Sequence, residues 1–446
     1  MYPNIAVKGA SMLKIMVLKI KYRGGLVKKS GIFICFLCLF LILGAGCKRE
    51  SGGGKVTLRY MTYEYLPSQV VIHEAIVDAF NKSQDRITVK LQVEQRGTEK
   101  ILTQIAGGAA PDVFMWFNTN IYDLARKGAL LEMTPYIKSS KIDFNDYFSG
   151  MFRLVQFNVG DKIYGFPMSW GAEAIIYNKD LFDRAGLPYP AEGMNWEGFA
   201  RTAQKLTVTK DGRVVQYGTT LPSDYNVLLG FGAKRFNDNL TRCVLDSPEA
   251  KKALQFLVDL GDKYKAIPSV ASLPRGEQWQ TAMDMFMTGK IAMYITSSFQ
   301  LQALSNIQGF RWDIAPLPRY PGKKRLMAPG INTLAIYAGT KHPQEAWEFV
   351  KFACGPEGEK FLGKNCIPSH KKTAEKYFLV PPPENIGVII DQFEGETILA
   401  EGYTSWGREY VETVYRAELD KMLLGLQSVE ETASNMTREG NKFLKQ

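Results

Sequence analysis

Residues 56–61 (VTLRYM), 87–93 (ITVKLQV) and 112–117 (DVFMWF) have the composition and apolar patterning of β-strands. Between them, residues 68–80 and 98–105 carry apolar side chains at helical spacing. The order strand, helix, strand, helix, strand predicts a parallel sheet with right-handed crossover connections. The chain is therefore expected to have an α/β fold.

The carboxyl ends of the first and third of these strands form the first candidate functional region. In a parallel sheet, ligands bind in the crevice beside the carboxyl ends of the strands. The segment Tyr63-Glu64-Tyr65 follows the first strand, and Trp116-Phe117-Asn118 ends the third. We therefore expect these two segments to lie beside one another at a binding site.

The alternation of strands and helices continues along the chain. Residues 174–177 are predicted to form a strand, and the short helix that follows it ends at Gly186. Asn195 is a suitable cap for a helix over residues 196–206, and residues 217–221 have the pattern of another strand. Further predicted elements are helices at 248–264, 277–287, 343–353 and 405–425, a strand at 291–295 and an extended segment at 312–317.

The N-terminal segment differs in composition from the rest of the chain. The 446 residues carry a formal net charge of +10, but residues 1–46 hold seven basic and no acidic residues, which leaves +3 for the remainder. In that remainder, basic residues are scattered among acidic ones, which is typical of a solvated surface and not of a nucleic-acid patch. An unbroken apolar run at 32–43 follows Lys28 and Lys29 and precedes small residues. This pattern indicates a secretory signal peptide over residues 1–46, with an uncleaved membrane anchor as the alternative.

The end of this segment, Gly44-Ala45-Gly46-Cys47, resembles the lipobox of bacterial lipoproteins, in which the cysteine is lipidated and becomes the new N-terminus. Leucine commonly stands three residues before that cysteine, whereas here Leu43 stands four before it. Acyl chains on Cys47 would anchor the protein to the outer face of the cell membrane. Residues 47–54, which include Ser-Gly-Gly-Gly, would form a flexible tether.

The cysteines beyond Cys47 are too few for a disulfide framework. They are Cys243, Cys354 and Cys366. Cys354 and Cys366 could form a disulfide in an exported protein, and the alternative is three small buried thiols.

Several sequence blocks recur in a particular order and spacing. They are IYGFP (163–167), AIIYNKDLF (174–182), AGLP (185–188), WE (196–197), MTGKIAM (287–293), GIN (330–332) followed by 341–352, and NCIP (365–368). Together they resemble the signature of family 1 of the bacterial extracellular solute-binding proteins, which includes the maltodextrin-binding proteins. The resemblance covers roughly residues 55–446.

This resemblance implies a two-lobe α/β fold of the periplasmic-binding-protein type, class II, with the ligand held between the lobes. Lobe one would comprise residues 55–172 and 316–366, and lobe two would comprise residues 173–315 and 367–446. Three interlobe crossings would lie near 171–173, 315–317 and 366–368.

The resemblance also implies a set of ligand-binding residues. A sugar presents polar hydroxyl groups and apolar C–H faces, so its site needs aromatic rings together with carboxylates and amides. The positions that match the maltodextrin-binding pattern are Glu64, Tyr65, Trp116, Asn118, Glu173, Asp224, Tyr225, Asn226, Phe299, Tyr403 and Trp406. For each of them the alternative is a structural role, which means core packing for the rings and hinge stabilisation for Glu173.

The function implied by the resemblance is that of an extracellular solute-binding lipoprotein of an ABC importer. It would capture a sugar or oligosaccharide by closure of the two lobes and deliver it to a membrane permease, as a monomer, with no nucleic-acid partner, cofactor or metal. Catalysis finds little support, because His73, His342 and His370 have no company typical of a triad or a metal site. The alternatives are a surface enzyme that acts on glycans and a ligand sensor for a signalling receptor.

Overall fold

A computed structural model describes most of the chain beyond the N-terminal segment. The described residues are 55–64, 67–95, 97–156, 161–270, 278–319, 326–327, 330–363, 365–394, 396–397 and 404–445. The predicted signal peptide and tether (1–54, with Cys47), Tyr65, Tyr403 and the side chain of Asn118 lie outside this description. Across the described ranges, no helix has the length and apolar character needed to cross a bilayer.

The larger sheet confirms the parallel arrangement predicted for residues 56–117. Its strands are β1 (Val56–Thr62), β2 (Ile87–Val93), β3 (Val113–Phe117), β4 (Gly165–Gly171), β11 (Gly330–Ile336) and β12 (Ile367–Pro368). They are ordered β12-β4-β11-β3-β1-β2. β1 pairs in parallel with β2 and with β3, whereas β11 runs antiparallel to β3 and β4. The carboxyl ends of β1 and β3 therefore meet at one edge of the sheet.

The smaller sheet is antiparallel. Its strands are β5 (Glu173–Asn178), β8 (Met293–Ser297) and β9 (Trp312–Ala315), with β5 in the centre. The strand predicted for residues 217–221 is wrong, because Tyr217 makes only a single bridge, to Ile291. Two short ribbons complete the described strands, β6 (Val208–Lys210) with β7 (Arg213–Gln216), and β10 (Leu326–Met327) with β13 (Glu396–Thr397).

Helices surround both sheets. In the first part of the chain they are α1 (Pro67–Ser83), α2 (Gly97–Ala106), α3 (Asn118–Arg126), α4 (Thr134–Ser139), α5 (Ser149–Val155), α6 (Lys179–Ala185), α7 (Trp196–Leu206), α8 (Asp224–Gly230) and α9 (Pro248–Asp262). They continue with α10 (Gln278–Met287), α11 (Leu301–Leu304), α12 (Pro343–Ala353), α13 (Pro356–Glu359), α14 (Lys371–Tyr377), α15 (Ser405–Tyr410), α16 (Arg416–Leu423) and α17 (Val429–Phe443). A π-helical turn, Val411–Tyr415, joins α15 to α16.

Local capping explains where several helices begin and end. The side chain of Asn178 accepts a hydrogen bond from Leu181 N, and α6 ends at Gly186, whose φ is 60°. The predicted cap Asn195 accepts from Gly198 N at the start of α7. Each of these two asparagine side chains supplies an acceptor for an N–H group in the first turn that has no partner within its own helix.

Each of the two sheets has its own hydrophobic cluster, and a further cluster that includes Trp170, Ile176 and Ile331 contacts both. One cluster covers the larger sheet and includes Leu58, Val113 and Trp347. A second cluster lies against the smaller sheet and includes Ile175 and Tyr410. The fold is thus α/β with two lobes, each built around its own sheet.

The chain passes from the larger sheet to the smaller one between β4 and β5, at Ala172, and returns between β9 and β11, after Ala315. The third predicted crossing, near residues 366–368, stays a prediction, because the helix that follows it, α14, still packs beside β12 and α13. At the first crossing, Ser298 N donates to Ala172 O at 2.7 Å and Ala172 N donates to Ser298 Oγ at 3.2 Å. The strand Ile367–Pro368 still pairs with β4 of the larger sheet. The lobe boundaries given above otherwise stay a prediction.

The cysteines lie within the core. Cys243, Cys354 and Cys366 are buried thiols and form no disulfide in the described part of the chain. The sequence left open a disulfide between Cys354 and Cys366 or three buried thiols, and the structure agrees with the buried thiols.

Candidate functional site

A cavity of about 810 Å³ lies between the two lobes. Residues from both sheets and from helices of both lobes line it. They are Tyr63, Glu64, Gln69, Phe117, Glu173, Thr220, Leu221, Pro222, Ser223, Asp224, Val270, Ala282, Tyr294, Ile295, Thr296, Ser297, Phe299, Gln300, Asn332, Leu419, Asp420 and Leu423. Its volume is within the range of small-molecule sites in proteins, about 300–1,000 Å³.

Two stacked aromatic rings form the wall on the larger sheet. The rings of Tyr63 and Phe117 are 5.0 Å apart between centroids and inclined by 35°. The Tyr63 hydroxyl donates to Asn332 Oδ1 at 2.6 Å, and Asn332 Nδ2 donates to Ser169 Oγ at 3.2 Å. Asn332 is the register partner of Phe117 across β3 and β11. Strand pairing therefore holds both rings at the carboxyl ends of β1 and β3, as the sequence predicts for these two segments.

Glu64 is held from behind by a buried histidine. His73, on α1, is 1% exposed, and its Nε2 lies 2.9 Å from Glu64 Oε2. Its Nδ1 lies 2.9 Å from the Tyr60 hydroxyl, and its Nε2 lies 3.2 Å from Thr62 Oγ1. His73 does not line the cavity, so its role is to fix the carboxyl group of Glu64, which does.

The wall on the smaller sheet carries a pair of carboxyl groups. Burial, together with the nearby negative charge of Asp224, raises the pKa of Glu173 to about 7. Asp224 accepts hydrogen bonds from Arg235 Nη2 at 3.0 Å and from the Tyr415 hydroxyl at 2.7 Å. The guanidinium of Arg235 lies 4.4 Å and 4.2 Å from the ring centroids of Tyr225 and Tyr415. Arg235 is thereby held by two rings and orients Asp224.

Phe299 covers the first interlobe crossing. A Cβ atom at Gly171 would lie 2.4 Å from Phe299 Cε2 and 2.9 Å from Ser297 Oγ. Only a residue without a side chain allows this ring to lie so close to the backbone. The ring comes from the segment after β8 and packs against the core of the larger sheet, so it links the two lobes beside the cavity.

The structure brings together four of the residues predicted for the site. Glu64, Glu173, Asp224 and Phe299 all line the cavity. Up to 235 residues separate them along the chain, from Glu64 to Phe299, and the two lobes place them around one cavity. Their contact with a ligand stays a prediction.

The remaining predicted residues with described side chains lie elsewhere. Trp116 is 3% exposed and packs edge-to-face on Phe114, with ring centroids 5.8 Å apart. Trp116 and Phe117 are consecutive in a strand and point to opposite faces, so Phe117 lines the cavity in place of Trp116. Trp406 packs on Phe236, with ring centroids 5.0 Å apart.

Tyr225 and Asn226 are also not among the lining residues. Tyr225 stacks on Arg235, and its contribution to the site is therefore indirect. Asn226 lies in α8, and its Nδ2 is buried with no hydrogen-bond partner among the described atoms.

Some lining residues were missed by the sequence analysis. Tyr63 and Phe117 lie in the two segments predicted to flank the site, but neither was singled out. Asn332 belongs to the block GIN (330–332), which resembles the family signature. The resemblance marked this block but did not indicate that the Asn332 side chain lines the cavity. Asp420 lies within α16 and has no sequence signal that distinguishes it from a solvated helix residue.

The raised pKa of Glu173 gives a testable pH dependence. Ionisation is disfavoured in the folded protein relative to the unfolded chain, so Glu173 lowers stability as pH rises from near 4.5 to above 7. Between about pH 5 and pH 8, the wild type should lose about 2–3 kcal/mol of unfolding free energy relative to Glu173→Gln, which cannot ionise. Chemical denaturation at the two pH values measures this difference. The same pH dependence in both proteins would contradict the assignment.

Comparison with known proteins agrees with this architecture. The family described as bacterial extracellular solute-binding protein matches residues 67–360. The multiple sugar-binding protein of Streptococcus mutans is 25% identical over 352 residues, which span 73% of this chain and 78% of that protein.

Solved structures of binding proteins share the fold. The ABC substrate-binding protein of Listeria monocytogenes in complex with cycloalternan superimposes with a TM-score of 0.75 at 25% identity, covering 88% of this chain and 100% of that one. The GacH receptor of Streptomyces glaucescens, solved unliganded and with acarbose, has a TM-score of 0.72 at 20% identity and covers 88% and 99%. The chain belongs to the family of bacterial extracellular solute-binding proteins.

Proposed function

We propose that this protein captures a sugar or oligosaccharide outside the cell and delivers it to the membrane permease of an ABC importer. The observation that carries the proposal is the interlobe cavity, whose walls present aromatic rings and carboxyl groups from both lobes. Rings pack on the apolar faces of a sugar, and carboxyl groups accept hydrogen bonds from its hydroxyls. The sugars named for the relatives support the same ligand class. These relatives are binding proteins, and we assign this chain a binding role without catalysis.

Hinge closure would couple ligand binding to transport. A ligand that contacts both walls stabilises the closed arrangement by its greater affinity for that arrangement. One charge pair already joins the lobes, since Arg408 Nη2 on α15 donates to Asp123 Oδ2 on α3 at 3.0 Å. α3 packs with the larger sheet, and α15 packs in the core of the smaller one. The permease would then recognise the closed, ligand-bound form of the monomer.

The test is a binding screen of the mature protein. Thermal shift and isothermal titration calorimetry with neutral, basic and acidic mono- and oligosaccharides should identify at least one ligand. Small-angle scattering should then show a smaller radius of gyration with that ligand than without it. A protein that binds no sugar in the panel, or binds one without any compaction, would refute the proposal.

Membrane attachment through Cys47 is a separate part of the proposal. The signal sequence and lipobox-like segment support export followed by lipidation of this cysteine. Expressed from its own start in a bacterial host, the wild type should fractionate with membranes, whereas Cys47→Ser should be released by osmotic shock or into the medium. Cys243→Ser serves as the matched control and should remain with the membrane. Membrane retention of Cys47→Ser would contradict lipidation at this position.

A further inference from the structure

The charge of the cavity is opposite to that of the chain. Four carboxyl side chains line it, those of Glu64, Glu173, Asp224 and Asp420, and none of the described lining residues is lysine, arginine or histidine. The residues beyond 46, which form the lobes, carry a net charge of +3. The carboxyl groups are not an isolated surface cluster, because they share one interlobe cavity with the rings of Tyr63, Phe117 and Phe299.

Two basic side chains that bond to lining carboxyl groups do not themselves line the cavity. His73 is buried and bonds to Glu64 and to the Tyr60 hydroxyl. Arg235 donates to Asp224 and lies 4.4 Å and 4.2 Å from the ring centroids of Tyr225 and Tyr415. A ligand in the cavity would therefore contact the carboxyl groups and not these two basic groups.

The electrostatic situation at Glu173 favours a positive charge within the cavity. Burial, and then the nearby carboxylate of Asp224, raise the pKa of Glu173 to about 7. A ligand ammonium group beside these two residues would take the place of the proton, because an opposite charge nearby favours the ionised form. Aromatic faces such as those of Tyr63 and Phe117 also attract cations.

We propose that this cleft binds sugars that carry a basic amino group more tightly than their neutral analogues and excludes acidic sugars, with the ammonium group beside Glu173 and Asp224. The proposal rests on the sugar-binding function proposed above and specifies its substrate class. Uronates and sugar phosphates would bring a negative charge into the cavity. The charged groups among its described lining residues are carboxyl groups, and repulsion between like charges disfavours such a ligand.

The experiment compares sugars that differ in charge on the same scaffold. Calorimetry at about pH 7.5 measures each neutral sugar, its 2-amino counterpart and its uronate counterpart, for the gluco, galacto and manno series and for β-1,4- and α-1,4-linked oligomers. The amino sugar should bind at least tenfold tighter than its neutral analogue, and the uronate should bind at least tenfold more weakly. Affinity of the uronate equal to or above that of the neutral sugar would overturn the proposal, as would equal affinities of the amino and neutral sugars.

A variant pair assigns the preference to the cleft. Glu173→Gln should reduce the ratio of amino-sugar to neutral-sugar affinity to about threefold or less. The control Glu197→Gln, which replaces a carboxyl group exposed on α7 and paired with Arg201, should keep the wild-type ratio. An unchanged ratio in Glu173→Gln would overturn the placement of the ammonium group. Absence of binding by sugars of every charge would instead refute the sugar-binding function itself.

Discussion

Replacement of Phe117 with alanine is expected to weaken ligand binding at least tenfold while leaving the unliganded protein close to its normal stability. Phe117 is 36% exposed at the end of β3, stacks on Tyr63 and lines the interlobe cavity. Its ring provides a flat apolar face for the ligand, and rigid aromatic contacts carry much of the affinity of such sites. A tenfold loss corresponds to about 1.4 kcal/mol of binding free energy.

The neighbouring residue provides the matched control. Trp116→Ala should lower the free energy of unfolding by about 3–5 kcal/mol, because it empties a buried site that the ring fills beside Phe114. The affinity of the protein that remains folded should change much less than in Phe117→Ala. Calorimetric binding and urea denaturation of both variants measure the two effects. If Trp116→Ala lost affinity at full stability, Trp116 and not Phe117 would be the ligand contact.

This pair of residues marks the point at which the sequence stopped being sufficient for predicting the site. The apolar pattern of residues 112–117 predicted a buried strand, and the strand Val113–Phe117 is present. A strand buried on both faces has no alternation that distinguishes them, so the pattern could not tell which aromatic residue faces the cavity. The pairing of Phe117 with Asn332 of β11, far along the chain, decides this.

The second lobe shows a related limit. The resemblance assigned residues 224–226 to a binding loop, and Asp224 does line the cavity. Tyr225 instead stacks on Arg235, which also bonds Asp224 and stacks on Tyr415. Arg235 and Tyr415 come from segments that carry no recognisable motif. Only their meeting in the folded protein gives these residues a role in positioning Asp224.

A buried acid beside β12 leads to the other large expected effect. Glu359, at the end of α13, is fully buried, and its carboxyl oxygens accept hydrogen bonds from Ser369 N at 3.1 Å and His370 N at 2.9 Å. The Ser369 hydroxyl lies against both the Glu359 carboxyl group and Pro167 O. Burial raises the pKa of Glu359 well above its usual range. A protonated Glu359 can donate a hydrogen bond to Ser369 Oγ. The Ser369 hydroxyl then donates its own hydrogen bond to Pro167 O.

Glu359→Ala should therefore lower the free energy of unfolding by about 3–5 kcal/mol, because it removes the acceptor of the buried His370 N–H group, leaves Ser369 N with Met168 O alone and opens a cavity. Glu359→Gln should stay within about 1 kcal/mol of the wild type, since its amide can donate to Ser369 Oγ and accept from His370 N, while Ser369 N keeps Met168 O as its acceptor.

Glu357→Ala is the matched control on the same helix, because Glu357 is exposed and pairs with Lys360 on the surface, where such pairs contribute about 0–1 kcal/mol. Urea denaturation of the three variants measures these differences. A loss in Glu359→Gln as large as in Glu359→Ala would mean that the ionised carboxylate holds the segment after β12 in place. In either case Glu359 adds to the contacts that hold this segment, which also include the pairing of β12 with β4 and the hydrogen bonds of Ser369 with Met168 O and Phe148 N.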